Sequence, residues 1–214
     1  MSSVRTVEDR LRAEYFALLP KMRLTLLAIE TEVSHLLLPL VMDLKPYERI
    51  LVRSRLKECE SAVDSLKRRQ EGRVFDTEKA ESYSLTKLRD LVGIRVLTFP
   101  RQQARDAERV LRPYVSQWTA DPVPGENAGD EPLALKYYGS RPTDPITAEI
   151  QIVPALIGLF WELEHTALYK HSFRRGEILP SVKARAAAVI GALRGFEEEF
   201  ELQIRDRDVT GLDE

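Results

Sequence analysis

Apolar residues recur every three or four positions near the start of the chain. Leu26, Ile29, Val33, Leu36, Leu37 and Val41 share one helical line. The pattern predicts helices over Arg10–Leu19 and Lys21–Leu44, with Pro46 ending the stretch. Arg49–Arg53 reads as a short strand with Ile50 and Val52 on one face, and Leu56–Arg69 as a helix. The polar segment Glu71–Tyr83, with Gly72, reads as a loop. Gly93–Phe99 (GIRVLTF) is rich in β-branched residues and stopped by Pro100, so it predicts a strand. Arg101–Leu111 is an amphipathic helix, Val115–Thr119 a strand, and Asp121–Pro132 a loop by composition. Leu133–Tyr138 and Thr147–Val153 are two further strands, near enough to pair. Pro154 suits the first turn of a helix running to Lys170. After a break over Arg174–Pro180, Ser181 caps a last helix to Ile204, with Val189, Leu193, Phe196, Phe200 and Ile204 on one stripe.

This order of elements is α+β: one sheet covered by helices, with helical arms at both ends. It divides the chain into an N-terminal helical extension (1–47), a central domain (48–173) and a C-terminal helical extension (174–214). The apolar lines of the first and last helices are longer than one small sheet needs. They predict burial against a second copy, a homo-oligomer.

Composition narrows the classes. The 214 residues suffice for one well-cored domain, and a net charge of -2 gives no bulk attraction to DNA or a membrane. Cys59 is the single cysteine, so an internal disulfide and a cysteine-built zinc site are excluded, and a reducing cytoplasm is the expected compartment. Met1–Asp9 has no signal-type apolar core. The run Leu36–Met42, interrupted by Pro39, is too short to span a bilayer. His35, His165 and His171 form no metalloprotease pattern.

Three constellations carry candidate chemistry. Arg55, Lys57 and Ser61 follow the first strand, where basic side chains and helix N-terminal amides can hold phosphates. Asp90 immediately precedes the Gly93–Phe99 strand, and Arg95 lies inside it; a carboxylate there suits Mg²⁺, which takes one or two carboxylates plus substrate phosphates. Glu149 and Gln151 share one face of a strand whose other face is apolar, so Glu149 could serve as a general base on a hydroxyl. Glu164, His165, Tyr169 and Lys170 follow on the next helix, His165 and Tyr169 one turn apart.

In this order, Arg55-x-Lys57 with Ser61, Asp90-x-x-Gly93-x-Arg95, Glu149-x-Gln151-Ile152, then Glu164-His165 and Tyr169-Lys170, the segments resemble the synthetase domain of the RelA/SpoT family, in its small stand-alone form. The resemblance spans about Glu48–His171. It implies a mixed sheet of about five strands of nucleotidyltransferase type. It also implies transfer of the β,γ-pyrophosphate of ATP to the 3′-hydroxyl of a guanine nucleotide, with Mg²⁺ as cofactor. By residue, it implies that Arg55 and Arg95 sandwich adenine, Lys57 binds phosphates with Ser61 and Arg68 assisting, Asp90 and Glu149 ligate the metal, and Glu149 activates the acceptor. Lys136, Tyr138, Ser140, Gln151 and His165 would hold the acceptor.

The acceptor motif departs from the family. Its Gly-Tyr-x-Ser-x-His element corresponds to Lys136-Tyr137-Tyr138-Gly139-Ser140-Arg141-Pro142, which admits two registers: one keeps Tyr138-x-Ser140, the other keeps Lys136-x-x-Gly139 and puts Ser140 in the stacking position. Val153-Pro154 replaces the family's Arg-Thr, and Ser65 stands where a Lys is common. The donor side is therefore better kept than the acceptor side. Toxin-like action on tRNA 3′ ends, action on adenine nucleotides, and a catalytically silent nucleotide-binding module stay open as alternatives.

Overall fold

The computed structural model describes residues 6–125, 131–142, 144, 146–165 and 180–210. Helix α1 spans Val7–Met42 without a break. It starts on a capping box in which the Thr6 hydroxyl accepts from the Asp9 amide at 3.1 Å and the Asp9 carboxylate accepts from the Thr6 amide at 3.2 Å. The two helices expected on either side of Pro20 are therefore one. Pro20 is exposed, so its missing N–H falls on the solvent side. The buried line continues in phase through it, from Leu11 and Tyr15 to Met22, Thr25, Ile29, Val33 and Leu37. By length and composition alone α1 could cross a membrane; here that line packs into the sheet core.

Strand β1 (Arg49–Leu56) pairs antiparallel with β2 (Val92–Phe99) along all eight residues, so it extends three residues past its predicted end. Helix α2 consequently starts later than predicted and spans Cys59–Arg68. The expected loop Glu71–Tyr83 contains two short 3₁₀ turns, and a third spans Leu85–Lys87. Helix α3 (Gln102–Leu111) follows β2. The predicted Val115–Thr119 strand is mostly turn, because the Val115 and Trp118 amides return to the Leu111 and Val115 carbonyls; only β3 (Thr119–Ala120) pairs. Strands β4 (Leu135–Gly139) and β5 (Ala148–Pro154) are antiparallel neighbours, as the short spacing predicts. Pro154 ends β5 instead of opening the next helix: it lies beyond the last β4 pair, at Ile152, where one side of the strand needs no donor. Helices α4 (Ala155–His165) and α5 (Pro180–Thr210) complete the described chain. Proline occupies the start of α5, so Ser181 lies inside it and is not its cap.

The five strands are ordered β1-β2-β5-β4-β3, with β2 and β5 parallel and the other pairs antiparallel. This is the mixed α+β sheet expected. One face carries Val92, Ile94, Val96, Ala148, Ile150 and Ile152 into the principal core with α1 and α3. On the opposite face, Leu97, Val153 and Ile157 form a smaller core under α4. The stripe predicted for α5 is only partly buried. Phe200 meets Phe99 at 5.0 Å between ring centroids, but Phe196 and Val189 are exposed, whereas Glu197 is fully buried.

Candidate active site

The strand register assembles the site. Across the sheet, Arg55 stands opposite Gly93, Gly93 opposite Glu149, and Glu149 opposite Tyr138. Two residues along, Arg53, Arg95, Gln151 and Lys136 form a second row. Directly paired residues, and residues two apart, point to the same side of a sheet. Both rows therefore share the face opposite the principal core. They occupy the half of that face next to the ends of β2 and β5 where Asp90 enters.

Lys57 reaches this end through backbone contacts. Its amide donates to the Leu91 carbonyl at 2.9 Å, and its own carbonyl accepts from Tyr15 of α1 at 2.8 Å. Its ammonium pairs with Asp90 Oδ2. The other Asp90 oxygen, Oδ1, is buried and accepts no hydrogen bond among the described residues. Gly93 leaves room for Arg55 to lie across the strand: a Cβ there would sit 3.3 Å from both Cγ and Nε of Arg55. Arg95, half-buried on the same face, is held less strongly protonated than usual, first by burial and then by the charge of Arg55. The two guanidinium groups are thus close enough to feel each other.

The carboxylate of Glu149 is buried. Its Oε1 accepts from the Tyr138 hydroxyl at 3.0 Å and from Gln151 Nε2 at 3.0 Å. The Tyr138 phenol is pushed well above its ordinary range, chiefly by burial, then by Glu149 and more weakly by Asp121 and Asp90. Tyr137 points to the opposite face and donates to Glu108 of α3 at 3.0 Å. Of the two tyrosines it is therefore Tyr138 that faces Glu149, and Ser140 lies exposed beyond the strand. Gly139 has a packing reason of its own, since a Cβ there would fall 2.3 Å from the Trp118 ring.

Other candidates stand apart. Ser61, half-buried, is on the first turn of α2 and Arg68, exposed, at its far end; neither bonds to a site residue among the described residues. Lys136 stands across from Gln151. His165 closes α4, but its side chain, with Tyr169 and Lys170, lies outside the described residues. Two residues of the site were not anticipated. Arg53 precedes Arg55 by two on β1, so the strand period alone places it on this face. Glu162 arrives from α4, where the local pattern gives no signal for it.

Among the described residues, no cluster of three or more His, Cys, Asp or Glu could hold a metal by itself. A metal here would need ligands from a bound phosphate, which suits Mg²⁺ bound through Asp90 Oδ1. A cavity of about 320 Å³ lies elsewhere, between α3 and residues 131–135.

This geometry can be set beside known structures. Small alarmone synthetase 1 from Bacillus subtilis, bound to AMPCPP, aligns over 88% of this chain and 97% of its own, at 18% identity and a TM-score of 0.59. The same synthetase bound to its product pppGpp aligns over 87% and 93%, at 17% identity and 0.60. A GTP pyrophosphokinase family protein from Streptococcus pneumoniae aligns over 94% and 98%, at 18% identity and 0.57. The chain has the fold of the small stand-alone RelA/SpoT-type alarmone synthetases. The likeness extends over nearly the whole of both chains, so this fold takes in α1 and the C-terminal helix as well as the sheet. No family model and no curated protein matches the sequence.

Proposed function

We propose that the protein moves the β,γ-pyrophosphate of ATP to the 3′-hydroxyl of GDP or GTP, making a (p)ppGpp-type alarmone and releasing AMP. The observation that carries this reading is the shared sheet face. It joins the Arg55 and Arg95 guanidinium groups, the Lys57–Asp90 pair, and a buried Glu149 that accepts from the Tyr138 hydroxyl. The fold likeness to synthetases bound to AMPCPP and to pppGpp supports it.

In this reading the adenine lies between Arg55 and Arg95, and Lys57 neutralises phosphate charge, with Ser61 and Arg68 as helpers. Glu149 takes the proton of the acceptor 3′-hydroxyl, whose oxygen attacks the β-phosphorus. The bond from the β-phosphorus to the bridging oxygen breaks, and that oxygen leaves with AMP. Tyr138 stacks on the acceptor base, with Lys136, Ser140, Gln151 and His165 around it. Asp90 and Glu149 would hold Mg²⁺, which when bound offsets the negative charge that develops on the transferred group. The exposed Phe16, Leu24, Leu27, Leu38 and Val41 of α1 are the surface for a second copy, a homo-oligomer that light scattering at micromolar concentration would detect.

The test is AMP release from Mg²⁺-ATP with GDP, GTP, ADP, ATP and tRNA offered in turn. Release with GDP or GTP is the expected result. Release only with tRNA or an adenine nucleotide would overturn the acceptor, and release with none would point to a nucleotide-binding module without transfer activity.

A further inference from the structure

We propose that Glu162 is a positioning residue that ties the donor end of this site to Glu149; the proposal deepens the transferase reading and rests on it. Arg53 and Arg95 stand directly opposite each other on β1 and β2 and point to the same side. Two like charges at that spacing repel, and Arg95 carries the further burden of burial and of Arg55. One carboxylate answers both. Glu162 Oε1 accepts from Arg95 Nη1 at 3.1 Å, and its Oε2 accepts from Arg53 Nη1 at 3.0 Å.

With Arg95 held from that side, its Nε points at Gln151 and donates to Oε1 at 2.9 Å. This contact fixes which way the Gln151 amide faces. The amide oxygen is engaged by Arg95, so the nitrogen is turned to Glu149 Oε1. The reversed amide would set an oxygen against a carboxylate oxygen. Tyr138 adds the second donor to the same oxygen. Glu149 Oε1 is thus engaged twice, and the hydrogen bonds leave Oε2 for the acceptor hydroxyl. The chain of contacts runs Glu162, Arg95, Gln151, Glu149, Tyr138 without a gap. It crosses from the residue expected at adenine to the residue expected at the acceptor base.

The experiment compares Glu162→Gln with Arg53→Gln in ¹⁵N-labelled protein. Both leave the packing of α4 intact, since Glu162 is partly exposed and Gln has its shape. The Arg95 Nε–H and Gln151 amide resonances, assigned with Arg95→Lys and Gln151→Ala, report the relay without needing activity. In Glu162→Gln both resonances should shift and exchange with water about tenfold faster or more, and the Kd for a non-hydrolysable ATP analogue should rise about tenfold. With active enzyme, KM for ATP should rise and kcat should fall together. Arg53→Gln keeps the Glu162–Arg95 bond, so the Arg95 Nε–H and Gln151 amide resonances should keep their exchange rates within about twofold. Unchanged resonances in Glu162→Gln, or a change confined to melting temperature, would overturn the proposal. A wild-type protein that releases no AMP would sink the transferase reading instead, while the resonances still decide the relay.

Discussion

Alternate residues of one strand do opposite work. On β5, Ala148, Ile150 and Ile152 enter the principal core, whereas Glu149 and Gln151 face the other way and bond to each other and to the neighbouring strands. On β2, Val92, Ile94 and Val96 pack against helices, whereas Gly93 and Arg95 build the site. The back face is continuous apolar surface closed by α1 and α3. The front face is divided: its lower half, with Leu97 and Val153, is apolar and anchors α4. The upper half carries the polar side chains of the site. The anchoring matters to the chemistry, because the docked α4 is what delivers Glu162 to Arg95. Substitutions on the two faces should therefore fail differently.

The largest expected effect is on the front face. Glu149→Gln keeps the shape but removes the base, and AMP release should fall by about 10²- to 10⁴-fold. Its melting temperature should stay near that of the wild type, and full activity in this variant would show that Glu149 is not the base. The back-face counterpart one residue away is Ile150→Ala. It empties a fully buried site in the principal core and should cost about 2–5 kcal/mol of stability by denaturant titration, with activity per folded molecule little changed. Equal loss of stability from both substitutions would break the distinction between the faces.

Glu197 tests the seam between α5 and the sheet. It is fully buried, and neither oxygen has a well-formed hydrogen bond among the described residues. Burial raises its pKa to about 7, with Glu201 and Glu198 adding to the rise and Arg101 opposing it. The folded state therefore binds a proton that the unfolded chain releases at ordinary carboxylate pH. Stability from this group is full below about pH 4.5 and is lost as pH rises to about 7, by about 3 kcal/mol in all. Glu197→Gln should flatten that part of the stability profile between pH 5 and 8. A wild-type profile already flat there would contradict the assignment.

How much of this the sequence revealed depends on the range of the interaction. The period of two sufficed to put Glu149 and Gln151 on one face, and to say that Tyr137 and Tyr138 face opposite ways. Which tyrosine meets Glu149 depends on pairing between β4 and β5, a register no local pattern specifies. Arg53 was open to the same period-two argument as Arg55, but it lies outside the motif that drew attention to Arg55. Glu162 depends on how α4 docks. For Pro20 the local rule misled, because α1 continues where the ring faces solvent. On α5 the apolar spacing selected Phe196, while packing buried the next residue, Glu197.

A smaller effect is expected at Gly93. The methyl of Gly93→Ala would press on Arg55 Cγ and Nε at 3.3 Å. The Arg55 side chain can give way, so the fold should survive and the arginine should be displaced from the strand. KM for ATP should rise about tenfold, with KM for the acceptor unchanged. If the acceptor constant moves instead, Arg55 does not belong to the donor end.

The mildest substitution separates the two tasks assigned to Tyr138. In the proposed function its ring stacks on the acceptor base; its hydroxyl donates to Glu149 Oε1 at 3.0 Å. Tyr138→Phe keeps the ring and removes one of two donors to that oxygen; Gln151 still supplies the other. A typical hydrogen bond contributes about 1 kcal/mol net, so kcat should fall only about fivefold, with KM for the acceptor nearly unchanged. Tyr138→Ala removes the ring as well. Loss of base–aromatic stacking is worth about 1–3 kcal/mol, so the acceptor KM should rise about fivefold or more, while binding of the ATP analogue stays as in the wild type. The pair of variants tests the front face from its acceptor end. If Tyr138→Phe raises the acceptor KM as much as Tyr138→Ala does, the hydroxyl and not the ring recognises the acceptor. The base would then be held elsewhere, with Lys136, opposite Gln151 on the same face, the next residue to substitute.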